Sequence, residues 1–295
     1  MKLRTLLCLA ALAPAAFAQP SATMRPELLA SFDLSYSKSS NEDIARGSTV
    51  LGQLSVEQYG FSASGRHPWS EQTVLAYGVA FETYDFQSSF GLPLPKDLTE
   101  FSLNLGVQHR INAQWGAAVY LRPGFYGDLD EGLNSKSLNA PFLAMATFAQ
   151  SKDLMWSFGL NVNAFSDNPV LPIVGVRWKF APDWTFNLGF PRSGFTWKFS
   201  DRLSFNTGAS FSGGSFRLSQ NLGVPATGIP RLANTFVDFR EVRVGVGAEY
   251  AFTERSKLSV DVGAVTDRKI DYFDKNYRLD GDAGTFVSIA FKGGF

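Results

Sequence analysis

Cysteine and histidine are scarce in this sequence. The single cysteine, Cys8, lies in an apolar N-terminal segment, and the only histidines are His67 and His109. If that segment is removed, the remaining chain has no disulfide, no thiolate metal site and no cysteine nucleophile. Neither histidine is paired by position with an inward serine or carboxylate, as a membrane-embedded hydrolase would require. We therefore assign no catalytic residue and no cofactor.

Net charge and long apolar runs are also lacking. The chain has 27 basic and 27 acidic side chains and no basic run, which argues against nucleic-acid binding. Outside the N-terminal segment, no stretch has the roughly 18 consecutive apolar residues of a membrane-spanning helix. Mean hydropathy is −0.05, close to zero as in a soluble protein. A β-barrel also averages close to zero, because its lipid-facing and lumen-facing residues alternate and their contributions cancel.

The N-terminal segment has the features of a secretory signal. Lys2 and Arg4 give a positive start, the apolar run 3–13 is too short to cross a bilayer, and Ala16-Phe17-Ala18 offers small residues for cleavage. We expect residues 1–18 to be removed.

Alternation with a period of two residues dominates the rest of the chain. Residues 101–108, 115–122, 156–163 and 241–250 each place apolar side chains on one face and small or polar side chains on the other. This pattern predicts half-exposed β-strands, and no amphipathic helix of similar strength is present. It favours a transmembrane antiparallel up-and-down β-barrel with the apolar face toward lipid and the polar face toward the lumen.

The connections between these strands alternate between short and long, as in outer-membrane barrels with short periplasmic turns. The predicted strands are 28–37, 48–64, 73–85, 98–110, 115–126, 138–150, 154–165, 170–180, 184–190, 194–199, 203–217, 237–252, 257–266 and 284–295. This gives about 14 strands with both termini in the periplasm. The hairpin 184–199 is short for a membrane crossing, which leaves a count of 12 open.

Tryptophan provides a second pattern. Five tryptophans share the phase of the apolar face and lie next to predicted short turns, and these are Trp115, Trp156, Trp178, Trp184 and Trp197. Rings of tryptophan are typical of the boundary between lipid and water. We expect these five to form a girdle at the periplasmic interface, whereas a soluble sandwich would bury them in its core.

The last strand carries the motif on which a family resemblance depends. Residues 284–295 place Val287, Ile289, Phe291 and Phe295 on one face and end on the aromatic residue. This resembles the C-terminal signature of bacterial outer-membrane β-barrel proteins, although Gly293 replaces an apolar residue. The resemblance implies an outer-membrane location, contact with outer-membrane lipid, and recognition by the barrel-assembly machinery. It divides the chain into the signal (1–18), a short periplasmic segment (19–27) and the barrel (28–295).

Charged residues of both signs have the inward phase. The lumen-lining candidates are Glu82, Arg122, Arg177, Lys179, Lys198, Glu241, Arg243, Glu249 and Asp261. A strongly ion-selective channel would favour a ring of one sign, so a mixed set indicates ion pairs or a weakly selective pore. Arg177, Lys179 and Lys198 are candidates for an anion-attracting patch. The acidic segment 271–282 lacks the spacing of a calcium loop, and we assign no metal site.

The sequence leaves several functions open. A passive channel or porin-like protein for small solutes is the leading hypothesis. The alternatives are a closed structural or adhesive barrel that works through its surface loops, a membrane-embedded hydrolase, and a secreted soluble β-sandwich.

Overall fold

The computed structural model describes residues 27–89, 91–129 and 132–294. The expected signal, almost all of the expected segment 19–27, and Phe295 lie outside these residues. The described residues form one extended sheet with two short 3₁₀ turns (Ser135–Ser137 and Phe273–Lys275) and no α-helix. Among the described residues, no helix is long and apolar enough to cross a membrane.

Eighteen strand segments make up the sheet. Their bounds are β1 Glu27–Ser39, β2 Glu42–Arg46, β3 Thr49–Pro68, β4 Thr73–Ser88, β5 Asp97–Arg110, β6 Trp115–Leu121, β7 Gly124–Gly127, β8 Leu138–Asn139, β9 Phe142–Ala149, β10 Leu154–Val162, β11 Val170–Ala181, β12 Trp184–Leu188, β13 Arg192–Lys198, β14 Leu203–Asn221, β15 Ala233–Ala251, β16 Lys257–Tyr272, β17 Tyr277–Gly281 and β18 Gly284–Gly294. Each of β2, β7, β8 and β17 shares a barrel strand with a neighbouring segment across a local break, so the sheet has fourteen strands.

The sheet closes into a barrel. β18 pairs with β1 in a register that places Phe32 opposite Gly293 and Tyr36 opposite Ile289, and β17 and β2 continue the same seam. The predicted up-and-down barrel of 14 strands is confirmed. The count of 12 is wrong, because both strands of the short β12–β13 hairpin pair with their outer neighbours. The closed ring also overturns the soluble sandwich.

The two ends of the barrel differ in their connections. At one end, which we call the short-turn end, the turns are 69–72, 111–114, 150–153, 182–183, 199–202 and 252–256. The opposite end, the long-loop end, carries longer connections at 89–96, 128–134, 163–169 and 222–232, together with three brief ones.

In the half of the barrel near the short-turn end, the outer surface is apolar. Phe101, Leu103, Leu105 and Val107 of β5 all point outward and are 44–46% exposed. On the outward face of β15, Val244, Val246 and Tyr250 are exposed, and Val242 and Ala248 are half-buried. A continuous apolar outer face of this kind is what alternating strands present to lipid.

The pattern inverts in the half near the long-loop end. On β4, Tyr84 and Phe86 point inward and are buried, and on β15, Val237 and Phe239 do the same. We call this cluster the upper core, and its fully buried members include Leu54, Leu98, Phe216, Leu218, Ile270, Tyr272 and Leu279. The expectation of a polar inward face along the whole strand is therefore wrong for this half, where burial of apolar side chains fills the interior.

A second, narrower ring surrounds the upper core. The pairing of β13 with β14 ends at Ser210, and farther along β14 Arg217 pairs in parallel with Gly127 of β7. The segments β14, β15, β16, β17, β2, β3, β4, β5 and β7 therefore close on one another at the long-loop end. Strands β9 to β13 complete the wider ring nearer the short-turn end only.

Two segments predicted as external loops form strands instead. Residues 266–283 contain the end of β16 and all of β17, and residues 38–47 contain β2. Ile44, Ile270 and Leu279 from these segments are fully buried in the upper core. These strands continue past the end of the outward apolar band, because their inward apolar side chains are buried in the upper core.

Gly213 allows β14 to enter the narrower ring. Its φ is +123°, a backbone conformation that favours glycine, and an added Cβ would collide with the Phe239 carbonyl oxygen. Its N–H donates a hydrogen bond of 3.2 Å to the Tyr84 hydroxyl on the opposite wall.

We predict that Gly213→Val lowers the free energy of unfolding by about 3 kcal/mol, because it combines backbone strain with a steric clash. Urea unfolding of the detergent-solubilised barrel measures this. Gly223→Ala is the matched control, since Gly223 has a φ of +78° but no heavy atom near an added Cβ. An equal decrease in the free energy of unfolding in both variants would contradict the role given to Gly213.

Candidate functional site

A layer of buried charges lies inside the barrel directly below the upper core. Glu241 accepts hydrogen bonds from Arg243 (Nη2–Oε2, 2.7 Å) and from Arg268 (Nε–Oε1, 2.8 Å), and all three side chains are at least nine-tenths buried. Arg268 also donates to the Leu54 carbonyl oxygen at 2.8 Å and to Ser39 Oγ at 2.6 Å. One carboxylate therefore binds two guanidinium groups, and Arg268 links it to β1 and β3.

The layer continues across the lumen. Arg122 pairs with buried Glu100, which also accepts a hydrogen bond from Ser102 at 2.6 Å. Gln58 on β3 accepts a hydrogen bond of 2.9 Å from Ser212 on β14, on the far side of the barrel. Together with the upper core, these contacts fill the straight path along the barrel axis at the long-loop end.

Asp128 contacts the end of β14 close to the point where this strand pairs with β7. Its carboxylate accepts hydrogen bonds from Ser219 Oγ at 2.6 Å, from Ser219 N at 2.9 Å and from Gln220 N at 2.7 Å. Because Asp128 follows β7 and Ser219 lies near the end of β14, these bonds join the two strands where the narrower ring closes. Hydrogen bonds to a buried carboxylate are among the stronger ones in proteins.

A cavity that reaches the inward face lies beside strands β9 to β14, where the wall is shortest. We call it the wall cavity, and its volume is about 410 Å³. Its apolar lining includes Leu143, Met145, Met155, Ile173, Phe190 and Pro191. Its polar lining includes Thr147, Ser157, Arg177, Thr185, Asn187 and Arg192.

The wall cavity also reaches residues of the outward phase. Val176, Leu188 and Phe195 line it, although their neighbours along the strands point into the barrel. The β12–β13 connection ends low in the wall, where the Pro191 carbonyl oxygen accepts a hydrogen bond of 3.1 Å from Phe211 N. Beyond this point β14 leaves β13, so the cavity lies at a gap between the wall and the crossing strand.

The two arginines on the cavity differ in their partners. Arg192 pairs with Asp261 at 2.7 Å and also contacts Asn206. Arg177 has no ion pair or side-chain hydrogen bond among the described residues, and it is exposed. The cavity wall therefore carries one uncompensated positive charge.

The structure distributes the predicted lumen-lining residues over three settings. Glu82, Arg122, Glu241 and Arg243 lie in the buried layer, and Arg177 and Asp261 lie on or next to the wall cavity. Nearer the short-turn end, Glu249 pairs with Lys257 at 2.8 Å and Lys198 pairs with Asp201 of a turn at 2.7 Å. Lys179 is exposed on the inward phase of β11 and does not line the cavity. The suggested patch is thus divided, because Lys198 is neutralised locally.

Sequence reasoning missed four important residues. Arg268 falls in a segment interpreted as a loop, and a bulge after Val242 shifts its register. Asp128 and Arg192 lie at strand ends, where alternation gives no phase. The apolar inward lining, such as Met145, was overlooked because a porin-like lumen was expected to be polar.

The predicted tryptophan girdle lies on the outer surface near the short-turn end. Trp184 and Trp197 stack at 5.7 Å between ring centroids, and Trp178 contacts Phe180 at 5.5 Å. Trp115 packs on Phe148, and Trp156 donates a hydrogen bond to Gln150. Of the residues of the C-terminal signature, Val287 and Ile289 point outward on β18, and Phe291 contacts Phe32 across the seam.

The histidines lie away from the buried charges. His109 Nδ1 is 3.0 Å from Thr73 Oγ1 on the outer face, and His67 is at the end of β3. In the acidic segment, Asp280 pairs with Arg278 at 2.7 Å. Within the described part of the chain, no group of histidine, cysteine, aspartate or glutamate side chains is placed to hold a metal ion.

Comparisons with known proteins identify a family and similar solved structures. A family model described as "Domain of unknown function (DUF6268)" matches residues 73–279. No curated protein matches. The chain is similar to a TodX monoaromatic hydrocarbon channel mutant (deltaS2S3), with 11% identity, 90% of each chain covered and a TM-score of 0.51. It also aligns with the COG4313 outer membrane channel from Pseudomonas putida F1, with 14% identity, 91% and 96% covered and a TM-score of 0.49. At these identities, the likeness to the TodX mutant supports the barrel fold alone.

We predict that Glu241→Gln destabilises the barrel by about 3–5 kcal/mol, because Arg243 and Arg268 would lose the charge that compensates them in a buried layer. Guanidinium unfolding monitored by tryptophan fluorescence measures the loss. Lys198→Met is the control, and we expect no measurable change because its ion pair is fully exposed. Equal unfolding midpoints for wild type and Glu241→Gln would show that the layer is not a structural element.

Proposed function

The chain belongs to the family described as Domain of unknown function (DUF6268), and from the barrel that it forms we propose a passive channel for small solutes in the bacterial outer membrane. The proposal includes outer-membrane lipid around the barrel and the barrel-assembly machinery as a partner during biogenesis. It assigns the short-turn end to the periplasm and the long-loop end to the exterior. It assigns the protein no enzymatic activity.

The outward apolar band supports the membrane location. On β15 it runs from Val242 to Tyr250, about nine residues, which matches the usual 9–11 residues of a tilted transmembrane strand. On β1 and β3, nearer the long-loop end than the apolar band, Lys38 pairs with Glu57 at 2.7 Å. Hydrogen bonds from Lys38 and Tyr59 lower the pKa of the Glu57 carboxyl to about 2, so this pair is charged at physiological pH and suits a polar border.

The wall cavity carries the channel proposal. The upper core and the buried charges leave no straight path at the long-loop end, whereas the cavity joins the inward face of β9–β11 to residues of the outward phase. Its volume is within the range of small-molecule sites. The proposed solute is therefore small and largely apolar, with room for one polar group beside the polar lining, and its route passes through the gap beside Pro191.

A closed structural or adhesive barrel is the second candidate. The filled long-loop half favours it, because that half resembles the interior of a soluble barrel and presents ordered loops at the surface. Under this alternative the wall cavity is a packing defect and no solute crosses.

We expect liposomes containing the folded protein to take up small neutral solutes faster than protein-free liposomes. Ser157→Trp should reduce this uptake to background, because the indole would fill the wall cavity from its inward side. Ala146→Trp, on the outward face of the adjacent strand β9, is the control and should leave uptake unchanged. Stopped-flow light scattering measures the rates, and heat-modifiable gel mobility checks folding of each variant.

Two results would contradict the channel. If correctly folded wild-type protein gives no uptake above background, the closed barrel replaces it. If Ser157→Trp conducts as well as the wild type, solutes do not pass through the wall cavity.

A further inference from the structure

The wall cavity combines an apolar lining with Arg177, a cation that has no ion pair within the described part of the chain. Leu143, Met145, Met155, Ile173 and Phe190 contribute to its apolar lining. Apolar linings with a few polar groups are typical of sites that bind small molecules, where the polar groups fix the orientation of the ligand. The polar groups here are concentrated on β11 to β13.

Arg177 is the group that distinguishes this cavity from a purely apolar one. Arg192 is already compensated by Asp261, whereas Arg177 has no partner among the described residues. A guanidinium presents a rigid fork of N–H donors that matches a carboxylate in a bidentate geometry. Thr185 and Asn187, on the inward face of the adjacent strand β12, add hydrogen-bonding groups to the same lining.

We propose that the wall cavity is a binding site for small organic monocarboxylates with a compact apolar body. The apolar body packs against the methionines, Ile173 and Phe190, and the carboxylate pairs with Arg177. This inference deepens the proposed function by naming the solute class of the same cavity.

The apolar side chains and Arg177 together also determine which molecules bind weakly in the cavity. A very small or strongly hydrated anion gains little from the apolar wall, because its stabilisation depends on hydration that the wall cannot replace. A neutral molecule of the same shape gains the apolar contacts but not the charged hydrogen bonds to Arg177. Benzoate should therefore bind more tightly than both acetate and benzyl alcohol.

Isothermal titration of the detergent-solubilised full-length mature protein with benzoate, acetate and benzyl alcohol tests this order. Arg177→Gln should weaken benzoate binding about tenfold, the equivalent of one hydrogen bond to a charged group, and leave benzyl alcohol binding unchanged. Arg177→Lys should recover part of the loss. Lys152→Gln, which removes one charge from an exposed turn, is the control and should bind benzoate as the wild type does.

Three outcomes would overturn the proposal. In the first, the wild-type protein does not bind benzoate. In the second, benzyl alcohol binds as tightly as benzoate. In the third, Lys179→Gln weakens benzoate binding as much as Arg177→Gln does. The last would show that general positive potential attracts carboxylates without contact to Arg177. None of these results affects uptake of neutral solutes into liposomes, so failure of the carboxylate site and failure of the channel are distinguishable.

Discussion

Pairing of backbone groups at strand edges is the constraint on which this structure depends. A sheet in lipid cannot leave N–H and C=O groups unpaired, and closure of β18 on β1 satisfies both edges of the wider ring. Strands β9 to β13 are too short to continue toward the long-loop end. The longer strands therefore close a second time, through β7 and β14, and Asp128 caps the closure with three hydrogen bonds.

The second closure explains the distribution of apolar side chains. Near the short-turn end, the apolar side chains of the strands point outward. Nearer the long-loop end, apolar side chains such as Phe239 and Leu54 point inward and are buried inside the narrower ring. The buried charges around Glu241 lie where one arrangement changes into the other. The wall cavity lies where the strands of the wider ring end, so the same difference in strand length creates the filled core and the gap beside it.

Alternation in the sequence was sufficient to predict the closed barrel and most strand bounds, because one period repeats through residues 101–108, 156–163 and 241–250. It left the strand number between 12 and 14, because the hairpin 184–199 is short. It was not sufficient to predict the second ring. The parallel contact of Arg217 with Gly127 joins strands that are distant along the chain, and no local pattern encodes it. Phase predicts that Glu82 and Arg243 face inward, but it could not give Arg243 its partner Glu241. It also could not indicate that Arg177 has no ion pair among the described residues.

The crossing of β14 to β7 is the central claim, and a disulfide tests it directly. Cys8 is the only natural cysteine, so a chain carrying Cys8→Ser, Asp128→Cys and Ser219→Cys would contain just the engineered pair. Ser219 Oγ lies 2.6 Å from the Asp128 carboxylate, and we predict that the folded barrel forms this disulfide in nearly every molecule, with faster gel mobility that reductant reverses. If the folded variant kept two free thiols under oxidising conditions, β14 would lie in the wall of the wider ring, and the filled long-loop half would be contradicted.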